Sequence, residues 1–351
     1  MKILLIHNLA SSHSTLANSL NKIKGIQAKY ITTSKHHYVS ENEFGTYIPL
    51  YVSKKKPFAF LLHKLTFKRR IKKLIQWSDV VYYLWDSLLE EEDLKLAYSL
   101  GKPIFIEWMG SDIRDPEKLR KINPWFDETF DKGYEYKDLE SSDRKNGVQL
   151  KFSNYKAQAL AAPEMKLYIR EDLFPLPKTL FQRIEIKKFS PAFPEISIQR
   201  PKIVHSPSAP IAKGTPTIEK VISELKETHD FDFVYLHGMS RDQVLKEMQT
   251  ADIFLDQIIC GGYGMAACEA MAFGKPVMCY LLPELFELGL PLDCPIINTD
   301  PGNLKENLVR LLSDPGLRNQ TGIKSRNFIE KYHDSDKIAA QLVDIFNDTQ
   351  Q

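Results

Sequence analysis

Short apolar runs separated by stretches of helical periodicity recur along the whole chain. Runs at residues 2–7, 28–32, 47–52, 80–85, 104–109 and 166–169 have the length and the β-branched and aromatic content of buried strands. Between them, apolar positions at helical spacing through Leu16, Leu20 and Ile23, over 58–76 and over 88–100 predict helices. A second series follows an irregular stretch at 189–201 that carries Pro191, Pro194 and Pro201. Its strands are predicted at 203–205, 233–237, 253–257, 277–281 and 296–298. Thr215-Pro216, Asp300-Pro301 and Asp314-Pro315 each read as an N-cap followed by a first-turn proline. Ser240 with Gln243 reads as a capping box. The last two helical stretches, 317–333 and 335–347, have no strand between them.

Strands alternating with helices imply parallel pairing and an α/β chain. The expected architecture is two Rossmann-like domains facing across a cleft. An N-terminal domain is expected over 1–188 and a second domain over 189–334. The helix within 335–351 is expected to pack back on the first. Ligands in open α/β sheets bind beyond the carboxyl ends of the strands, so the cleft is where chemistry belongs.

Composition narrows the classes. The 351 residues are 43% hydrophobic and 26% charged, as in an ordinary globular protein. With 47 basic and 45 acidic residues, no field of one sign points to nucleic acid. Cys260, Cys268, Cys279 and Cys294 match neither a zinc cluster nor a C-x-x-C pair, and read as buried thiols in a reducing compartment. No apolar run approaches the ~20 residues of a membrane span, and the run at 3–6 is shorter than a signal peptide's. A cytoplasmic protein is expected. The histidines contain no H-E-x-x-H, and the His36-His37 pair has no ligand constellation, so no metal is expected. Asp230-Phe231-Asp232 precedes a strand instead of ending one and reads as a surface turn; no G-x-S-x-G appears.

The most informative stretch is CGGYGMAACEAMAFGKPVMCY, from Cys260 to Tyr280. A strand runs into Gly261-Gly262-Tyr263-Gly264, and a helix of small residues follows. Glycines ahead of a helix let a ligand approach free N–H groups that favour a phosphate. Glu269 lies past the first turn, so capping does not explain it, and a carboxylate there can reach a ribose diol. Gly262-x-Gly264-x-x-Ala267, with Glu284 about 20 residues on, also fits the dinucleotide fingerprint formally. Yet two strands of the domain precede it, whereas the fingerprint usually follows the first.

This stretch resembles the donor-binding signature of family-4 GT-B glycosyltransferases, Glu-Gly-Phe-Gly, four residues, then Glu-Ala-Met-Ala-x-Gly-x-Pro-Val. Gly262-Tyr263-Gly264 and Glu269 through Val277 match it. The resemblance implies a retaining, metal-independent transfer from a nucleotide diphosphate sugar. It places the diphosphate at Gly264-Met265 and the ribose on Glu269. The family's first glutamate, which touches the donor sugar, is replaced by Gly261. In the loop 205–215, Lys213-Gly214 matches the family's diphosphate-binding Lys-Gly, while its arginine has no counterpart. Lys213 is thus the expected stabiliser of leaving-group charge. His237-Gly238-Met239 falls where the family contacts the base, and Gln257 should also face the cleft.

In the first half, Trp108-Met109-Gly110-Ser111-Asp112-Ile113-Arg114 resembles the family's Gly-Ser-Asp motif. The resemblance implies that Asp112 or Arg114 faces the acceptor or donor sugar, with Asp112 an expected catalytic residue beside Lys213; a helix start capped by Asp112 is the plainer alternative. The turn at 8–14 lacks the family's glycine pair, but Ser11, Ser12 and His13 are candidate substrate contacts. From Lys54 to Lys73 there are nine Lys or Arg, and no acidic residue lies between Glu43 and Asp79. Apolar residues interleave with them at helical spacing, which describes either an anionic-membrane surface or a solvated face.

The expected protein is a glycosyltransferase acting on a glycan or lipid-linked acceptor, with surface polysaccharide or glycolipid precursors in view and a peripheral membrane position. Alternatives are a non-catalytic GT-B module that binds a nucleotide sugar or a partner enzyme, a sugar-nucleotide epimerase, and an NAD enzyme.

Overall fold

The alternating apolar runs become two separate parallel sheets in a computed structural model that describes residues 1–33, 43–49, 55 and 57–349. The first sheet is built from β1 (Lys2–Ile6), β2 (Gln27–Thr32), β3 (Gly45–Tyr47), β4 (Val80–Leu84), β5 (Ile104–Trp108), β6 (Gln158–Ala161) and β7 (Lys178–Thr179). Its order is β3-β2-β1-β4-β5-β6-β7, with every pair parallel. The second contains β8 (Lys202–His205), β9 (Asp232–Tyr235), β10 (Ile253–Leu255), β11 (Val277–Cys279) and β12 (Ile297–Asn298), in the order β12-β11-β10-β8-β9. It too is parallel throughout.

Both orders reverse once: between β1 and β4 in the first sheet, and between β8 and β10 in the second. At such a reversal adjacent loops leave in opposite directions and open a crevice at the carboxyl ends. The central strands are buried on both faces, which is why β4 reads as an unbroken apolar run and β5 as one interrupted only by Glu107. The final helix, Ser335–Asp348, lies on the first sheet: Ile338, Leu342 and Phe346 are buried with Ile3, Leu5, Val80 and Phe105. Ser19 ties it down: its hydroxyl donates to Asp336 Oδ1 at 2.7 Å and lies 2.9 Å from Ser335 Oγ.

Several local expectations are corrected. Residues 166–169 form no strand; Pro163 opens a short helix, Pro163–Lys166, and the strand of that region is β6. The Gln-Ala-Leu-Ala sequence of β6 carries little β-propensity, while Leu167, Tyr168 and Ile169 are apolar because they fill the core. Thr215 is not an N-cap. Gly214 holds that position, and the Thr215 hydroxyl lies 2.9 Å from His205 Nε2. Asp300 caps no helix either: it accepts from Gly302 N and Asn303 N in a turn, and Asn303 precedes the helix Leu304–Ser313. Asp314 does cap Pro315–Tyr332, accepting from Leu317 N at 2.8 Å, and the Ser240–Gln243 capping box is present. His36, His37 and the end of the 47–52 run lie outside the described residues.

One polar cluster sits inside the first domain's core. Glu107 of β5 accepts from Arg183 Nη2 at 2.7 Å and from the Tyr82 hydroxyl, and Arg183 Nε donates to Ser12 Oγ at 2.6 Å. Burial pushes the Glu107 carboxyl up, and Arg183 works against that shift. Removing one partner of a buried pair strands the other charge at a cost of about 3–5 kcal/mol. Glu107→Ala is therefore expected to lower the melting temperature strongly. Lys305→Ala, which breaks the exposed Lys305–Glu224 pair, should cost at most about 1 kcal/mol. Thermal unfolding followed by circular dichroism checks both.

Candidate functional site

The carboxyl ends of the two sheets face each other across a cavity of about 650 Å³. That is within the range of roughly 300–1,000 Å³ that buries a small-molecule ligand. The second domain contributes three loops. The loop after β8 brings Ser206, Pro207, Ser208 and Lys213; the loop after β9 brings His237, Gly238 and Met239; the loop after β10 brings Gln257 and the glycine turn. The first domain contributes Met109, Gly110, Ser111 and Arg114 after β5, Glu164 after β6, and Leu9 and Ala10 after β1.

The glycine turn is held from below. Gln257 Nε2 donates to the Gly262 carbonyl, and Tyr263, itself buried, meets His333 Nε2 at 3.1 Å through its hydroxyl. Gly261 has φ +78°, and a Cβ there would lie 2.5 Å from Leu282 Cγ. Gly264 then takes the N-cap of the helix Met265–Ala272 with no side-chain cap. Gly264 and Met265 both line the cavity, so the first turn of this helix, with its unpaired N–H groups and positive dipole end, borders the ligand space.

No family model matches the sequence, and no curated protein matches it. Solved structures do. Sucrose-phosphate synthase from Thermosynechococcus elongatus aligns over 99% of each chain at 14% identity, with a TM-score of 0.61. Anabaena HepE in complex with UDP-glucose aligns over 99% of this chain and 100% of that one, at 13% identity and a TM-score of 0.58. UDP-GlcNAc 2-epimerase from Neisseria meningitidis, bound to UDP-GlcNAc, aligns over 98% and 99% at 14% identity and a TM-score of 0.51. The chain has the GT-B fold.

In this GT-B cleft most of the residues singled out from sequence lie together. Gly110, Ser111, Arg114, Lys213, His237, Gly238, Met239, Gln257, Gly262, Tyr263, Gly264, Met265 and Glu269 all line the one cavity. Three do not. Asp112 is used by its own turn: its carboxylate accepts from Met109 N at 3.0 Å and Gly110 N at 2.6 Å, which shapes the loop and keeps the side chain off the wall. Ser12 accepts from Arg183 in the core. His13 is fully buried, with Nδ1 3.0 Å from the His7 carbonyl and its ring against Tyr82. Ser12 and His13 are thus committed inside the domain and Asp112 to its own turn, so none of the three side chains lines this cavity.

Sequence reasoning missed two charged wall residues. Arg241 opens the helix after β9 and donates through Nε, at 2.9 Å, and Nη2 to Glu269 Oε1. Its place just beyond His237-Gly238-Met239 was the available signal. Glu164 followed a strand assigned to the wrong residues, so nothing pointed to it. It is 6% exposed and accepts from Gln182 Nε2 at 2.7 Å.

Among the described residues, charges at the wall are paired, apart from Glu164. Lys213 Nζ lies 2.6 Å from Asp256 Oδ1; burial works against the ammonium, but Asp256 overrides it and holds the Lys213 pKa above the usual lysine value. Arg114 Nη1 donates to Glu140 Oε1 at 2.8 Å and to Tyr134 Oη at 3.1 Å. Burial raises the Glu269 carboxyl, and Arg241 opposes it. Glu164 accepts a side-chain hydrogen bond from the neutral Gln182 amide, and burial pushes its carboxyl up to about 7 against the opposing effects of that bond and of the Arg114 charge.

His205, below the β8 loop, is buried between the Leu255 carbonyl and Thr215, and burial lowers its pKa from 6.5 to about 4. In the unfolded chain His205 takes a proton near pH 6.5; in the folded chain it stays neutral to about pH 4. Its share of stability is therefore complete above about pH 6.5 and is lost as pH falls toward 4, by up to about 1.4 kcal/mol per pH unit. His205→Asn is expected to lose less stability than wild type between pH 6.5 and 4.5, measured by urea unfolding. A constant wild-type-to-variant difference across that window would mean that His205 is charged in the folded chain.

Proposed function

We propose that the chain is a glycosyltransferase that moves a sugar from a nucleotide diphosphate sugar to an acceptor in the cleft. The observation that carries this reading is the convergence, on one inter-domain cavity, of the helix N-terminus at Gly264-Met265 with Lys213, Arg241 and Glu269. Two of the similar structures hold a UDP-sugar, which supports the donor class.

In this reading the diphosphate lies on the first turn of the Met265–Ala272 helix, where N–H groups and the helix dipole favour an anion. Lys213 and Arg241 supply the cations, Arg241 serving where the β8 loop lacks an arginine. Leaving-group charge that grows as the glycosidic bond breaks is then met by preorganised donors without reorganisation cost. Glu269 takes the ribose hydroxyls. Both Arg241 bonds go to its Oε1, so the other oxygen carries neither of them. Retention of configuration, departure and attack on one face, and independence of divalent metal belong to the same proposal. The acceptor is a glycan or lipid-linked precursor of a surface polysaccharide or glycolipid, held by Gly110, Ser111 and Arg114.

The test is a thermal-shift panel of UDP, GDP, ADP, CMP and NAD, with and without magnesium. One nucleoside diphosphate is expected to raise the melting temperature regardless of magnesium; at ~100 times its dissociation constant it adds about 2.7 kcal/mol. Glu269→Ala should remove that shift. Lys213→Ala paired with Asp256→Asn, which avoids stranding the buried carboxylate, should mainly lower turnover. Stabilisation by NAD alone would overturn the reading. Silence across the panel would favour a non-catalytic module, and conversion of a UDP-sugar without acceptor would favour an epimerase.

The acceptor reading extends to an anionic membrane surface. The helix Pro57–Trp77 exposes Phe58 (81%), Leu61 and Leu62 beside the exposed Arg69, Arg70 and Lys73. Lys68 and Lys72 are partly neutralised by Glu92. Lys54 and Lys56 lie outside the described residues, and among the described residues no helix is long and apolar enough to cross a membrane. Each cation near an anionic surface is worth about 1 kcal/mol. Wild type is expected to sediment with phosphatidylglycerol vesicles but not with phosphatidylcholine vesicles. Phe58→Ser combined with Arg69→Glu and Arg70→Glu should abolish this; equal binding to both lipids, or to neither, removes the membrane from the proposal.

A further inference from the structure

Gly261 stands where the resembling family carries a sugar-binding glutamate, and the structure explains why no carboxylate can be restored there. Its φ of +78° is one that side-chain-bearing residues rarely adopt, and a Cβ would press to 2.5 Å and 2.7 Å on Leu282 carbons. The turn is built for glycine at this position. If the cavity is to present a carboxyl to a sugar beside the glycine turn, the group must come from elsewhere.

The neighbouring glycine shows where. A Cβ placed on Gly262 would lie 2.9 Å from Glu164 Cβ and 3.2 Å from its Cγ. Glu164 comes from the opposite domain, at the start of the Pro163–Lys166 helix, and its stem rests directly on the glycine backbone. It lines the cavity while being 6% exposed. Other charged groups of the wall have an ionic partner: Lys213 with Asp256, Arg241 with Glu269, Arg114 with Glu140. Glu164 has no ion pair among the described residues. The neutral Gln182 amide donates to its Oε1 at 2.7 Å. A buried carboxyl with no cation at ion-pair distance is expensive to keep, and the hydroxyl groups of a sugar are neutral partners that suit it.

We propose that Glu164 is the sugar-recognising carboxyl of the donor site, supplied across the cleft by the first domain in place of the side chain that Gly261 excludes. This rests on the nucleotide-sugar reading above and deepens it: the nucleotide is held by the second domain, and the sugar by a carboxyl of the first. Gln182 is the positioning residue, holding the Glu164 carboxyl against the turn. Sugar recognition then depends on both domains facing each other, whereas nucleotide recognition does not.

The experiment compares the affinities of a nucleotide sugar and its free nucleotide by titration calorimetry. The ligand pairs are UDP-glucose, UDP-N-acetylglucosamine, GDP-mannose and ADP-glucose, each with its own diphosphate. In wild type, at least one nucleotide sugar should bind more tightly than its diphosphate. Glu164→Ala should erase that advantage, by about tenfold or more for a hydrogen bond to a charged group, and leave the free diphosphate within about twofold. Glu164→Gln keeps the shape of the side chain and so guards against a folding defect. It should fall between wild type and Glu164→Ala. A ratio that is unchanged in both variants, or affinities for sugar nucleotide and diphosphate that fall together, would overturn the assignment of Glu164 and leave the nucleotide site standing. A wild-type chain that binds none of the ligands would overturn the nucleotide-sugar reading and this inference with it.

Discussion

A charge placed in the wall of a cleft loses most of its hydration, and it stays there only if an opposite charge is built in beside it. The architecture of this chain follows that constraint closely. Lys213 can reach the cavity because Asp256, one residue past β10, lies 2.6 Å away on the adjacent strand end. Arg241 and Glu269 come from helices after β9 and β10, and their pair joins the start of the first helix to the middle of the second beside the ligand space. In the first domain Arg114 is held by Glu140 and Tyr134. Parallel strands ending side by side make such pairs available, because consecutive loops emerge at the same edge of the sheet.

The same arrangement separates groups that shape the site from groups that line it. Asp112, Gln257 and Gln182 have polar side chains at or near the wall, yet each is bonded to a main-chain amide, a carbonyl or another side chain that fixes a loop. Lys213, Arg241 and Glu269 border the ligand space itself. A ligand carrying negative charge at the helix N-terminus and hydroxyl groups beyond it would meet donors already oriented.

The two domains are also tied to each other away from the cleft. Asn123 Nδ2 donates to the Ile259 carbonyl at 2.7 Å, and the Glu135 carboxylate accepts from Ile211 N and Ala212 N. The last helix leaves the second domain and settles in the core of the first, beneath β1 and β4. The chain thus crosses twice between the domains, once near the 189–201 stretch and once at the bridge between Ile184 and Asp334. These contacts orient the carboxyl ends of the two sheets toward one another, and a cavity forms between them.

Much of this was legible in the residues. Parallel strands buried on both faces leave apolar runs, so nine of the twelve strands stood out, while β3 was met only at Tyr47 and β6 and β7 were not; the glycine turn with its small-residue helix marked a phosphate-favouring edge of the second sheet. Two kinds of feature were not legible. The β6 strand is made of small residues whose burial comes from neighbours far away in sequence, and the apolar residues after it looked like a strand because core burial has the same composition. The partners of the charged residues were equally hidden: nothing local shows that Asp112 is consumed by its own turn, that Arg241 reaches Glu269, or that Glu164 lies on Gly262. The sequence by itself determined the α/β class, the parallel sheets and the phosphate-favouring turn, because these follow from local periodicity and backbone chemistry. Only the tertiary structure decided which charges face the cleft and which are used to hold it, because pairing depends on distances between segments that no local pattern records.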